Sequence, residues 1–131
     1  MISDLPELEC FERLSTTTVG RIGFTENDRI QIFPVNYSVS GRDLLIRTSS
    51  DGSISRLGDE GAQVAFEVDY HDDLSGTGWS VLMQGFLSAV APDDAADEVD
   101  RISPWAGNDR TTPLRFRIDA ISGRRVRRDR R

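Results

Sequence analysis

The segment Gly78–Val90, GWSVLMQGFLSAV, limits what this chain can fold into more than any other. Val81, Met83, Leu87 and Ala89 fall on one face of an extended strand, and Leu82, Phe86 and Val90 fall on the other. Successive strand side chains point to opposite faces, so a strand apolar on both needs cover on both. In a small barrel the inner face is the core. The outer face then needs a helix or a second subunit, and a homodimer is the expectation that follows.

Other stretches rich in Val, Ile, Phe or Thr, or alternating at period two, surround this strand. They are Val19–Phe24, Ile30–Val39, Asp43–Thr48, Val64–Tyr70 and Leu114–Ile121, with Trp79–Val90 the sixth strand. Ser40-Gly41-Arg42 and Glu26-Asn27-Asp28 are short enough for hairpin turns. Pro34 cannot donate to a ladder, so a bulge or a free edge is expected there. A short helix is predicted over residues 4–14, with Asp4 as cap, Pro6 in the first turn and Leu5, Leu8, Phe11 and Leu14 as its stripe. Further helical stretches are predicted at Asp51–Gly58, capped by Asp51 or Ser53, and at Asp93–Ile102. Near-neighbour strands with short helices predict a mainly β fold, an antiparallel barrel with helices at its mouth or side.

At 131 residues the chain has the length of one domain. We read residues 1–123 as that domain and 124–131 as a basic tail. The tail holds six Arg and one Asp, while the rest carries ten Arg and 21 acidic residues. An acidic body repels phosphates, so nucleic acid is not the expected partner. There is no lysine, so any anion site must use Arg, hydroxyls and backbone N–H groups. A single Cys and a single His argue against a Cys- or His-based metal site. No apolar run reaches the roughly 18 residues of a membrane span. The opening MISDLPE is acidic and lacks a hydrophobic core segment, so a cytoplasmic location is expected.

Phosphate-loop, dinucleotide and nucleophile-elbow motifs are absent from the sequence. His71 lies in the acidic stretch Asp69–Asp73, read as a solvated loop. The segment LIRTSSDGS, Leu45–Ser53, is more suggestive: a strand ends in Arg47-Thr48-Ser49-Ser50 and a Gly-containing turn leads to a short helix. An Arg, hydroxyls and open N–H groups at a helix start can hold a phosphate, and the same residues also suit a polar turn with capping serines.

In this order, VGRIGF (19–24), PVNY (34–37), LIRT (45–48), VAFEVD (64–69), TGWSV (77–81) with Gly85, and ISGRR (121–125) resemble the small single-domain bacterial branch of the pyridoxamine 5′-phosphate oxidase-like flavin-binding proteins. The resemblance implies a six-stranded antiparallel split barrel of the FMN-binding type, and a homodimer with flavin sites at its interface. It places Arg47, Thr48 and Ser49 at the flavin phosphate and ribityl chain. Pro34, Val35 and Asn36 fall on the strand lining the ring, and Trp79 and Ser80 on a strand that completes the pocket from the other subunit. The family's phosphate grip continues into a Gly-Ser/Thr-Lys stretch, and here Ser53 stands at the lysine, with Asp51 before it and Arg56 one turn on. Losing a charge-assisted contact of that kind costs about 1.5–3 kcal/mol. The resemblance implies an FMN-dependent oxidoreductase of unspecified small-molecule substrate, with no acid or base catalyst evident. A deazaflavin-dependent reductase and a non-catalytic binding module with an altered pocket stand as alternatives.

Overall fold

The computed structural model describes residues 1–49, 52–90 and 111–128. Its elements in chain order are β1 (Ile2–Asp4), α1 (Glu7–Leu14), β2 (Val19–Glu26), β3 (Arg29–Ser40), β4 (Asp43–Ser49), α2 (Ser53–Glu60), β5 (Gln63–Asp72), β6 (Thr77–Ala89) and β7 (Thr111–Arg127). All pairings are antiparallel, in the order β1-β7-β4-β3-β2-β5-β6, and β6 pairs back onto β7. Six strands thus close into the expected split barrel, and β1 is a short addition. The β6–β7 seam contains a register shift at Gln84/Gly85, where the barrel wall bends.

Local chemistry explains most element ends. Asn27 and Asp28 both take positive φ, which lets a two-residue turn join β2 to β3. Gly61 ends α2 in the left-handed conformation. Pro34 needs no bulge: it pairs with Arg21 of β2, while the pairing with β4 stops at Asn36, so β3 has a free side at the proline.

Three expectations change. Asp4 lies in β1 and does not cap α1, whose N-cap position is Pro6. Leu8 is exposed, because the apolar face of α1 turns Cys10 and Leu14 inward. His71 lies in β5, which extends through Asp72, because its pairing with β6 continues to Thr77. The predicted helix Asp93–Ile102 lies outside the described residues.

The basic stretch starting at Arg124, read as a tail, enters the barrel. Strand β7 runs to Arg127, with Arg124–Val126 between β1 and β6. The first half of β7 pairs with β4 and the second half pairs with β1, on the same side.

The interior follows the period-two pattern. Val81, Met83 and Leu87 of β6 are buried, whereas Ala89, expected with them, is exposed at the strand end. Tyr37, Phe66 and Phe116 stack through the centre, with ring centroids 5.5 and 5.7 Å apart. The Tyr37 hydroxyl donates to the Leu14 carbonyl at 2.6 Å, tying α1 to the barrel. Burial pushes the pKa of that hydroxyl up, so it stays protonated. Cys10 is buried and its thiol pKa is raised by the same cause, which makes it a packing residue.

Candidate functional site

Strand β4 delivers Arg47 to the position where β3 places Asn36, and the two are direct cross-strand partners. Residues opposite each other on a sheet share a face. Arg47 and Thr48 are half-buried and Asn36 is buried. Val35, one residue back, is buried, and Pro34 is exposed. Ser49 is the last residue of β4. Asn36 and Arg47, assigned by the resemblance to the ring and the phosphate end, are thus neighbours on one face of the sheet.

Helix α2 starts at Ser53, shortly after β4 ends. It packs on β4, β6 and β7. Its docking depends on Gly58, where a Cβ would come within 2.4 Å of Leu114. Ser53 was a candidate cap, but the cap position is Gly52, in extended conformation and without a side-chain capping hydrogen bond. The first N–H groups of a helix have no partner within it, and Gly52 at the cap position has no side chain to close them, while the other candidate cap, Asp51, lies outside the described residues. That end suits an anion.

Arg56 Nη2 donates to Ser53 Oγ at 3.2 Å, so a guanidinium lies beside the first residue of α2. Glu26 at the end of β2 holds the same nitrogen at 3.4 Å. An i, i+3 spacing on a helix was the available sequence signal. Ser55, buried on the same helix, was not anticipated.

Trp79 and Ser80 lie elsewhere. They sit on β6, separated from β3 by β2 and β5. On β7, Ser80 pairs with Arg124, near one end, whereas Arg47 pairs with Pro113, near the other. One chain thus does not bring Trp79 and Ser80 together with Arg47. Trp79 is buried and carries the Arg13 guanidinium 5.9 Å from its ring centroid.

The outer wall formed by β2, β3, β5 and β6 has a shallow apolar hollow of about 320 Å³. Gly23, Ile32, Ala65 and Leu82 line it, and Ile32 and Leu82 are 64% and 47% exposed. At its rim Arg21 Nη1 pairs with Glu67 at 2.9 Å and Asp69 at 3.2 Å. Partial burial, and Asp69 alongside, push the Glu67 pKa up to about 6, although Arg21 opposes the shift. The hydrogen bond with Glu67, and then Arg21, holds Asp69 below its ordinary range. The described residues include no cluster of three or more His, Cys, Asp or Glu placed for a metal ion. No helix among them is long and apolar enough to cross a membrane.

A family model described as pyridoxamine 5′-phosphate oxidase matches residues 6–125. Among curated relatives, an uncharacterised protein of Mycobacterium tuberculosis is 28% identical over 130 residues, covering 95% of this chain and 86% of that protein. Among solved structures, the FAD-binding protein of Mycobacterium smegmatis is 30% identical, with a TM-score of 0.81 over 96% of this chain and 99% of that one. A Corynebacterium glutamicum structure is 27% identical, with a TM-score of 0.81 over 98% of this chain and 96% of that one.

Proposed function

The chain belongs to the pyridoxamine 5′-phosphate oxidase family, and from that premise we propose that it is a flavin-binding oxidoreductase acting on a small molecule. The observation that carries this reading is the donor set at the end of β4. Arg47 beside Asn36, the start of α2 at Gly52, and Arg56 beside Ser53 together suit a phosphate group. The fit is chemical: the guanidinium groups on β4 and α2 and the helix N–H donors are the kinds of group that hold a phosphate where the family's lysine is missing.

In this reading Arg47, Ser53 and Arg56 hold the flavin phosphate, and Thr48 and Ser49 lie along the ribityl chain. Pro34, Val35 and Asn36 flank the ring. When bound, the flavin supplies the electron transfer. The chain's own part is to grip, orient and exclude water. Trp79 and Ser80 complete the pocket from a second copy, since within one chain they lie apart from Arg47. The cofactor is FMN in the first instance. The FAD-binding relative makes FAD the main competitor, and a deazaflavin is the third.

Glu26 draws on Arg56 at 3.4 Å and weakens its pull on a phosphate. This favours, as a second reading, a barrel that holds its ligand without turnover.

Titration of the purified protein with FMN, FAD and a deazaflavin, followed by visible absorption, tests both readings. We expect micromolar flavin binding that Arg47→Ala weakens by roughly 10- to 150-fold. Binding without reoxidation by any acceptor would leave the binding module. A colourless protein with affinity for none of the three would overturn the flavin reading.

A further inference from the structure

On the outer wall an unbalanced charge cluster sits within an apolar face. Cross-strand register puts Arg21, Glu67 and Leu82 in one row, and Ile32, Gly23 and Ala65 in the next. Asp69 is two residues along β5 from Glu67, so both carboxylates are on that face. Arg21 Nη1 donates to both, at 2.9 and 3.2 Å. One guanidinium thus serves two carboxylates, and the cluster has a surplus negative charge when both are ionised. Neighbouring strands offer little relief. Across β6, Glu67 and Asp69 face Leu82 and Ser80. On β3, Arg21 faces Pro34. The other ionisable groups of this face are His71, two residues beyond Asp69, and Arg124, beyond Ser80 on β7.

The shape of the face fits a second copy of the chain. Leu82 and Ile32 are exposed beside the shallow hollow that Gly23 and Ala65 help to line. Knob and hollow on one face make it self-complementary, as a two-fold interface requires. Ser80, which the flavin reading gives to the partner's pocket, lies on the same face two residues from Leu82.

In the single chain water reaches the cluster. A second copy removes that water, and a surplus charge left in a dry interface is costly. A proton removes the surplus most directly. Partial burial and Asp69 already push Glu67 up to about 6 in the single chain, whereas Asp69 is held below its ordinary range, so Glu67 is the group that takes it. Once protonated, Glu67 donates to Asp69 while Arg21 serves both, and the cluster is neutral. Building on the second copy invoked for the flavin pocket, we propose that two chains joining through this wall take up one proton each, on Glu67, so that the dimer tightens as pH falls. The sign follows from linkage: the dimer binds more protons than two free chains, so its dissociation constant rises with pH. Below about pH 6 the free chain already holds the proton, and the dependence flattens.

Sedimentation equilibrium of the full chain from pH 5.5 to 8.5, at fixed ionic strength, tests it. The dissociation constant should rise by roughly a hundredfold or more between pH 6 and 8, because each dimer that separates there releases a proton from both chains. Glu67→Gln, neutral and of the same shape, should keep the low-pH affinity throughout. Asp69→Asn, which leaves Arg21 a single carboxylate, should flatten the profile as well. His71→Asn, which removes the nearby imidazole, should leave the profile in place. A native dimer indifferent to pH, as when a cation of the second copy balances the cluster, overturns the proton uptake and leaves the second copy standing. A profile that persists in Glu67→Gln, or vanishes in His71→Asn, overturns it too. Undiminished association of Leu82→Asp puts the contact on another face and has the same consequence. A native chain that is monomeric across the range removes the second copy and the proposal together. Failure of flavin binding alters none of these outcomes, because no flavin enters the experiment.

Discussion

At the scale of single residues, chemistry is set by immediate neighbours. Glu67 illustrates this on the outer wall. Its pKa, near 6 in the folded chain, lies above its ordinary value of 4.5. The folded state therefore binds more protons than the unfolded state between those values, and stability falls as pH rises through them. The benefit of the protonated form is complete below about pH 4.5 and is lost above pH 6. The Glu67 side chain is 31% exposed, so solvent screening holds the effect to about 1 kcal/mol. Urea midpoints measured from pH 4.5 to 7 should fall more steeply for the native chain than for Glu67→Gln. Equal slopes would show that Glu67 titrates normally. Arg56 teaches the complementary lesson. Position 53 lacks a cation, yet the helix repeat supplies one from a residue three places on.

Elements are joined by a few close approaches. Helix α1 sits against β7 at Gly123, where a Cβ would lie 2.6 Å from Cys10 Sγ and 3.2 Å from the Ser80 carbonyl oxygen. A methyl group there pushes α1 off the barrel. Gly123→Ala should cost about 1–3 kcal/mol, the usual range for overpacking. Thermal unfolding should also show coupling with Cys10→Ala, the double variant losing less than the sum of the single losses, because the main clash is with the sulfur. Strict additivity would mean that the Ser80 carbonyl, and not Cys10, sets the limit. The same strand spans the barrel: β7 meets β4 at one end, near Arg47, and β1 at the other, near Arg125.

For the whole molecule, the apolar outer wall is the question. The outward face of β6 was expected to need cover, and Phe86 has it in part from Arg117, whose Cζ is 5.7 Å from the ring centroid. Leu82 and Ile32 remain exposed in the single chain. We attribute that face to a second copy, which would also bring Trp79 and Ser80 to the partner's Arg47. Leu82→Asp sets a carboxylate beside Glu67 and should leave the isolated fold intact. Sedimentation equilibrium should then show a dimer for the native chain and monomers for the variant, with flavin affinity falling alongside. A native chain that is monomeric at micromolar concentration would remove the interface.

The sequence by itself determined whatever depends on near neighbours. Period-two runs marked the six barrel strands, because inward and outward positions must alternate wherever one face is buried. Turn residues such as Asn27 and Gly41 marked the hairpins, and LIRT followed by a Gly turn marked the segment we propose as a phosphate grip. The tertiary structure alone decided the rest. Basic residues after Ile121 carry no strand signal of their own, and Arg124–Arg127 become strand because β6 offers a ladder that continues that far. Tyr70, Trp79 and Arg125 have no sequence relation either. They meet because barrel closure fixes the stagger between β5, β6 and β7, and that stagger is a property of the closed ring, not of any one strand.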